Sequence, residues 1–566
     1  MPAARRLTRA AAGRPSGHGD RTGPASPADL PVAPRPLYRR LSPTAIALLV
    51  ATAAGLALRA FLLCRPGFLT GGTVEYDDGV YLGAALRLLH GALPYRDYAY
   101  VQPPGILLIS TPFALIGTMT NQVTGLAVAR AASVLASTAC IPLAGNLVKH
   151  RGTLATAVAA GVLAVYPADV LSSRTLLLEP WMNLLCLLGV NAAFTAGRLA
   201  GPRRLAWAGV AIGFAASVKF WAMLPAALLL AACLLVGESR TRRAAWLAAG
   251  LAAGFVVPVA PFAVAAPAAF VRQTVFYQAS RTGSSVPLSL RLANVTGLID
   301  ILDKGGRVWL GGTVHQIFAV ATNATTADSY VGWPSYAVAL MVAAVFAAGY
   351  LRAPGQRSVL EWFALATALL AAIAICFYSA FFYHYPDFPA PWLAVAAGAA
   401  AAGLAGFSAR RLPTRLIAAV AAVIIVAAFA AEAREIRYVH VPTTPATVDQ
   451  IVPAGACLIA DQMSLAVAAN RFTPPSPGCP DVLDSLATTL ALSGGVSPQG
   501  GADSMPRVAA DWESIFSRAR YVWLSGDFQA RIPWPPALQA WFTAHFRLVA
   551  AYPQYANSDL YVARAE

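Results

Sequence analysis

Long apolar segments alternate with short polar and basic loops over most of this chain. A helix needs about 20 apolar residues to cross a bilayer. On that criterion the pattern predicts about eleven spans, which we place at 44–64, 123–147, 152–171, 176–197, 205–219, 221–237, 244–265, 334–351, 358–380, 387–407 and 412–431. Residues 104–120 are apolar but short and contain Pro112 and Gly117. We interpret them as an interfacial or re-entrant helix on the outer side.

Basic clusters between the spans give the predicted orientation. With the N-terminus inside, all of them fall on the cytoplasmic side, as the positive-inside rule requires: 149–151, 198–204, 240–243, 352–357 and 410–415. Residues 1–43 are rich in Arg, Pro, Gly and Ala, which predicts a disordered basic cytoplasmic tail. Residues 44–431 form the transmembrane module, with large outer loops at 65–122 and 266–333, and the C-terminus lies outside.

The pattern changes after residue 431. Apolar runs shorten to strand length (CLIA, YVWLSG and LYVARA), between Pro- and Gly-rich turns and an amphipathic helix near Pro536 to Phe546. We therefore predict a polytopic all-α membrane protein with a small extracytoplasmic α/β domain at 432–566. Cys457 and Cys479 are the only cysteines of that domain, and the outer side is oxidising. They form either a disulfide or two buried free thiols.

Composition agrees with a membrane protein. The 566 residues are 57% hydrophobic and 12% charged, whereas soluble domains carry about 25% charged residues. The net charge of +16 comes largely from the basic loops, so it indicates topology and contact with the lipid bilayer and not nucleic-acid binding. The seven cysteines include no CxxC pair, so neither zinc nor an iron–sulfur cluster is indicated.

The first outer loop contains the richest polar stretch, from Tyr76 to Gly105. Asp77 and Asp78 precede a short amphipathic helix that contains Tyr81 and Arg87, and the stretch ends in QPPG at Gln102. Adjacent acids in a loop can be merely solvated, but an acid in a partly desolvated pocket can act as a general base for a hydroxyl. No DxD triplet is present, so the sequence neither signals nor excludes a divalent metal.

Two ionisable residues lie at the predicted outer ends of spans. Glu179 begins a span, and such groups usually face a cavity or a partner. It either belongs to a structural pair (Arg174–Glu179, or Asp169–Arg174 beside it) or acts as a second acid that holds a sugar. Lys219 either extends to the interface or offers a cation to a phosphate.

Two further outer stretches complete the candidate set. The loop 266–333 interleaves Arg272, Gln278, Arg281 and Arg291 with apolar positions, which suits either lipid headgroups or a lipid-linked phosphate that enters from the bilayer. The sequence FYHYPDF places His384 and Tyr385 between two spans. A histidine among aromatic residues is either structural or a hydrogen-bond partner for a phosphate or sugar.

Together these residues resemble the GT-C superfamily of membrane glycosyltransferases. The similarity is to the branch of protein mannosyltransferases and aminoarabinose transferases (glycosyltransferase family 39-like). Asp77-Asp78, Tyr81 and Gln102-Pro103-Pro104 match the branch's first outer loop in order and spacing, and Lys219 and His384-Tyr385 look similar to later features. The resemblance covers roughly residues 44–431.

The resemblance implies sugar transfer from a polyprenyl-phosphate donor to an envelope glycan, lipid or protein at the outer face of the plasma membrane. Asp77, beside Asp78, would deprotonate the acceptor for direct, inverting displacement. The donor phosphate would be held by Lys219, Arg272, Arg281 and His384. Substrate contacts would come from Tyr81, Arg87, Gln102, Arg174, Glu179 and Tyr385. Asp78 replaces the branch's Glu, and a double Asp is also similar to lipid-linked arabinose transferases, so mannosyl (hexosyl) and arabinosyl (pentosyl) transfer both stay open.

Two other classes of protein share some of these features. A transporter also has many spans with ionisable groups, but these gather near mid-membrane at broken helices or repeats. Here the unusual polar residues gather at one predicted face, which favours an enzyme. A non-catalytic envelope assembly protein would share the fold but would not depend on Asp77.

Overall fold

A computed structural model describes residues 41–70, 75–237, 239–279, 286–298, 333–351, 357–408, 414–438, 444–445, 447–473, 476–526, 531–555 and 557–564. Most of them are helical. The helices before residue 200 are α1 (Pro43–Leu63), α2 (Tyr76–Leu89), α3 (Gly105–Met119), α4 (Gln122–Leu147), α5 (Thr153–Ala164), α6 (Pro167–Ser173) and α7 (Leu178–Ala193). A two-stranded hairpin, β1 (Phe194–Thr195) and β2 (Arg198–Leu199), follows α7.

The next helices are α8 (Pro202–Val218), α9 (Met223–Leu235), α10 (Arg240–Ala265), α11 (Pro267–Val271), α12 (Tyr277–Ala279) and α13 (Leu288–Val295). A π-helical segment, Arg272–Phe276, joins α11 to α12. Four longer helices complete this part: α14 (Trp333–Leu351), α15 (Val359–Phe377), α16 (Ala390–Ser408) and α17 (Thr414–Tyr438). The predicted domain boundary at 431/432 therefore falls within α17.

Within the described ranges, five helices are long and apolar enough to cross a membrane, namely α1, α4, α10, α15 and α17. The number becomes six if α5 and α6, which meet at a 54° bend, are counted as one broken span. Several other helices are apolar but shorter, and α3, predicted to be interfacial or re-entrant, is one of them. A mostly helical polytopic protein is therefore confirmed, whereas the count of eleven spans and the orientation stay predictions.

Glycines bring α8 and α10 into close contact. Gly209 and Gly213 lie four residues apart on α8, and Gly250 and Gly254 are spaced in the same way on α10. A Cβ on Gly250 would lie 2.1 Å from the carbonyl oxygen of Ala206, and one on Gly254 would lie 2.1 Å from that of Val210. Small residues at this spacing let two helix backbones pack directly in a membrane.

The C-terminal domain, as described from residue 447 to 564, is α/β as predicted. Its sheet contains β3 (Leu458–Ala460), β4 (Tyr521–Ser525), β5 (Phe546–Tyr552) and β6 (Ser558–Ala563), in the order β3-β4-β6-β5. Only the β3–β4 pair is parallel. Its helices are α18 (Val448–Ile451), α19 (Met463–Ala468), α20 (Ser485–Ser493), α21 (Pro506–Ser517) and α22 (Pro536–His545).

Two features tie this domain together and to the helices. A disulfide joins Cys457 to Cys479, whose Cα atoms are 5.5 Å apart. One apolar core is continuous from the transmembrane helices through α2 into α19, and it includes Tyr81, Met463 and Phe472. The domain therefore packs directly on α2.

Candidate active site

Helix α2 presents three acids around its first turn. Glu75 precedes the helix, and its Oε1 accepts a hydrogen bond from the Tyr76 amide at 3.1 Å. Asp77 and Asp78 follow in the first turn, where carboxylates are favoured by the helix dipole. Asp77 is half-buried, and the Tyr81 hydroxyl donates a hydrogen bond to its Oδ2 at 3.2 Å.

Asp78, although adjacent, has a different environment. It is fully buried and pairs with the equally buried Arg130 of α4, with Oδ2 2.7 Å from Nη2. Arg130 also donates to the carbonyl oxygen of Phe68 at 2.7 Å. This pair fastens α2 to α4, so of the two predicted catalytic acids Asp77 is the one placed to meet a substrate.

Glu75 links the first turn to the loop between α15 and α16. Its Oε2 accepts a hydrogen bond from the Tyr383 hydroxyl at 2.6 Å. Burial, followed by the charge of Asp77, raises the pKa of the Glu75 carboxyl, while the nearby His384 acts in the opposite direction. Glu75 thus joins the first turn of α2, through Tyr383, to the loop that contains the predicted phosphate-binding His384.

A second cluster gathers Glu179, Lys219 and His384, and we call it the Glu179 cluster. The Glu179 carboxylate is fully buried, and its Oε1 lies 2.5 Å from Lys219 Nζ and 3.0 Å from His384 Nδ1. These residues come from the start of α7, the end of α8 and the loop before α16. Burial lowers the pKa of His384, but the Glu179 carboxylate outweighs it and raises the pKa overall. Two cationic hydrogen-bond donors, Lys219 and His384, therefore contact the same carboxylate oxygen of Glu179.

Aromatic rings enclose the lysine of this cluster. Lys219 Nζ lies 3.5 Å from the centroid of the Trp221 ring and 4.4 Å from that of Tyr385. Aromatic faces stabilise an ammonium ion by cation–π attraction, more strongly when it is desolvated. Lys219 is thus a buried, paired cation and does not extend into the interface.

Arg174 and Asp169, the residues considered for structural pairs at or beside Glu179, have other partners. Arg174 lies over the ring of Tyr383 at 5.8 Å and is half-buried. Asp169 pairs with Arg59 of α1, with Oδ2 2.7 Å from Nη2. Neither the Arg174–Glu179 pair nor the Asp169–Arg174 pair forms. The Glu179 carboxylate instead contacts Lys219 and His384.

Other predicted residues lie elsewhere. Arg87 pairs with Asp481 of the C-terminal domain at 2.8 Å, and Gln102 accepts from the Tyr95 hydroxyl through its backbone carbonyl at 2.5 Å. Arg272 is exposed in the π-helical segment, and Arg281 lies outside the described residues. The substrate and phosphate roles assigned to these four side chains stay predictions.

Sequence reasoning missed Glu75 and Arg130. Glu75 stands two residues before Asp77, so the run EYDD contains three acids. Arg130 gives a clearer signal, since it is an arginine within an apolar helix and such a group needs a buried partner. Among the described residues, no group of three or more His, Cys, Asp or Glu side chains is arranged to hold a metal ion.

Comparison with solved structures gives the fold. The aminoarabinose transferase ArnT from Cupriavidus metallidurans, bound to undecaprenyl phosphate, is 12% identical with a TM-score of 0.54, and the match covers 92% of this chain and 97% of that one. The archaeal oligosaccharyltransferase AglB from Archaeoglobus fulgidus, in complex with an inhibitory peptide and a dolichol-phosphate, is 13% identical with a TM-score of 0.51, covering 90% and 73%. No protein-family model and no curated protein sequence matches the chain.

The chain therefore has the fold of the GT-C superfamily of membrane glycosyltransferases, and the predicted resemblance is confirmed. Both similar structures share this fold at low sequence identity.

Proposed function

We propose that this protein is a membrane glycosyltransferase that moves a sugar from a polyprenyl-phosphate donor to an acceptor hydroxyl. The observation that carries the proposal is the half-buried Asp77 in the first turn of α2, where the Glu75–Tyr383 hydrogen bond joins this turn to the loop that contains His384 of the Glu179 cluster. A candidate base and two cationic donors joined in this way suit a reaction in which a hydroxyl attacks and a phosphate leaves. The similar AglB and ArnT structures contain dolichol-phosphate and undecaprenyl phosphate.

In the proposed reaction, Asp77 accepts the proton of the acceptor hydroxyl as its oxygen attacks the anomeric carbon. The bond between that carbon and the phosphate oxygen breaks, and both electrons leave with the polyprenyl phosphate. Direct displacement of this kind inverts the anomeric configuration. A positioned general base typically contributes about 10²–10⁴-fold to the rate.

Negative charge that develops on the leaving phosphate is stabilised by Lys219 and His384. Both are buried, where electrostatic interactions are stronger than in water. Glu179 holds the two donors in place, so little reorganisation is needed at the moment of reaction. Trp221 and Tyr385 further fix the ammonium group.

We place this reaction at the outer face of the plasma membrane, where the positive-inside rule puts both α2 and the C-terminal domain. Hexosyl donors such as mannosyl phosphates and pentosyl donors such as arabinosyl phosphates are both compatible with the site. The acceptor is an envelope glycan, lipid or protein.

The decisive experiment is sugar transfer by the purified protein in nanodiscs, with a panel of polyprenyl-phosphate sugars and Asp77→Asn as the test variant. We expect one donor to be turned over, with loss of roughly 10²–10⁴-fold in kcat in the variant. Asp559→Asn serves as the matched control, because Asp559 is a half-buried acid on β6 whose Oδ2 also accepts a hydrogen bond from a tyrosine hydroxyl, that of Tyr561, at 3.3 Å. Equal activity of Asp77→Asn would remove Asp77 from the mechanism, and no turnover of any donor by folded protein would favour a transporter or an assembly protein.

A further inference from the structure

One face of α2 is covered by the C-terminal domain. Tyr76, Gly79, Gly83 and Arg87 are spaced by three or four residues, so at 3.6 residues per turn they fall within about 80° of one another around the helix. Each of the four contacts the domain within residues 463–485. The contact therefore runs along nearly the whole helix.

The first turn is held by Tyr76. Its hydroxyl donates to Asp484 Oδ1 at 2.8 Å and accepts from the Ser485 amide at 3.1 Å. The Arg531 guanidinium lies 3.6 Å above the centroid of its ring. Tyr76, Asp484 and Ser485 are all buried, so these polar contacts form away from water, where leaving them unmade is costly.

Two glycines let the domain reach the helix backbone. A Cβ on Gly79 would lie 2.1 Å from the backbone nitrogen of Ser464, and one on Gly83 would lie 2.7 Å from Leu483 Cδ1. At the end of α2, Arg87 pairs with Asp481 and lies over the ring of Phe472 at 4.7 Å. Packing this close fixes the helix in both rotation and position.

The opposite side of α2 is fixed by the buried Asp78–Arg130 pair. Asp77 and Tyr81 lie about 100° and 140° around the helix from Tyr76, between these two contacts. The orientation of Asp77 is therefore set jointly by a transmembrane helix and by the C-terminal domain.

We propose that the C-terminal domain is a positioning element for the catalytic base, acting through Tyr76 and Gly79 on α2. This inference rests on the proposed function, because it assigns a catalytic meaning to the position of Asp77. The Glu179 cluster is built from α7, α8 and the loop before α16, and the first turn of α2 meets that loop through the Glu75–Tyr383 hydrogen bond. Disturbing the contacts of Tyr76 and Gly79 therefore lowers kcat much more than it changes the KM for the donor.

The kinetic test uses Tyr76→Phe and Gly79→Ala in the full-length protein in nanodiscs. We expect kcat to fall by roughly 10- to 100-fold, the effect of misplacing a catalytic group by about 1 Å, with the donor KM changed less than about twofold. Tyr555→Phe is the matched control. It also removes the hydroxyl of a buried tyrosine, but that hydroxyl forms a hydrogen bond with Thr444, which lies outside α2. A rise in donor KM at unchanged kcat would overturn the proposal and indicate substrate contact.

Hydrogen–deuterium exchange provides a readout that needs no activity. In Tyr76→Phe, amides of residues 76–80 should exchange faster, while those of α8 and α10 should match wild type. Unchanged exchange in both variants would overturn the proposal.

If wild type turns over no donor, the proposed function fails, and so does the catalytic role assigned to the position of Asp77. The exchange data would still show whether the C-terminal domain orders α2. Gly201→Ala, whose added Cβ meets no neighbouring atom, controls for a glycine substitution as such.

Discussion

Asp77 and Asp78 are neighbours in sequence with opposite surroundings. Asp77 is half-buried and bonded to Tyr81, whereas Asp78 is inaccessible and paired with Arg130. Because a helix turns by about 100° per residue, adjacent acids face different parts of the molecule. The Asp77 carboxylate is thus partly accessible, as the proposed base requires, whereas the Asp78 carboxylate is held in a buried ion pair.

We predict that Asp78→Asn lowers the free energy of unfolding by about 3–5 kcal/mol, because it leaves Arg130 charged and buried without its carboxylate. Asp77→Asn should change it by no more than about 0.5 kcal/mol, as expected for a side chain with one weak contact. Denaturant unfolding of both variants in the same detergent measures the difference. Similar losses in the two variants would contradict the assigned roles.

The sequence predicted part of this site. Asp77, Lys219 and His384 were selected because each is a polar residue at a predicted outer helix end, and the structure places Lys219 and His384 together. For Glu179 the sequence left open a structural pair involving Arg174 or a contact with a sugar. It did not indicate Lys219, because residues 40 positions apart cannot be paired from spacing alone. Only the packing of α7 against α8 and the later loop determines that contact.

At the scale of elements, the α8–α10 contact depends on four glycines. We predict that Gly250→Leu destabilises the protein by about 1–3 kcal/mol or more, since the side chain would have to enter the space occupied by the Ala206 backbone. Thermal unfolding followed by size-exclusion chromatography measures this loss.

Gly406→Ala is the control for that substitution, because an added Cβ there meets no neighbouring atom. It should be neutral or slightly stabilising, as alanine is favoured over glycine in a helix. Equal destabilisation by the two changes would show that the close approach of α8 and α10 has no special importance.

The strands of the C-terminal domain were largely predictable, because CLIA, YVWLSG and LYVARA are short apolar runs between turns. Strand β5 was missed, since Phe546 follows α22 directly without a turn signal. Helix lengths in the transmembrane module were less predictable. The predicted span at 152–171 is divided into α5 and α6 by a bend of 54°, and the break comes just before Pro167, which cannot continue an intrahelical hydrogen bond.

At the scale of the whole molecule, the C-terminal domain contains a buried acid near its contact with α2. Burial raises the pKa of the Asp461 carboxyl to about 7, although the Ser525 amide and hydroxyl both donate to it. The folded state therefore holds a proton that the unfolded chain releases near its ordinary pKa of about 3.9. The contribution of this carboxyl to stability should fall as pH rises between about 4 and 7, because the folded state binds its proton more tightly in that window.

We predict that Asp461→Asn makes this pH dependence shallower, because amide side chains do not ionise. Melting temperatures of wild type and variant at pH 5 and pH 7.5, in the same buffer series, give the comparison. Parallel slopes for the two proteins would show that Asp461 does not cause the loss of stability.

The contact between Tyr76 and Asp484 also sets the order in which the protein matures. The two residues are 408 positions apart in sequence, so ribosomes synthesising about 5–20 residues per second need roughly 20–80 s to make the second after the first. During that interval α2 lacks the domain that covers its Tyr76 face. On the proposed function, a nascent chain therefore stays inactive until residues 463–485 have been made and have folded onto α2.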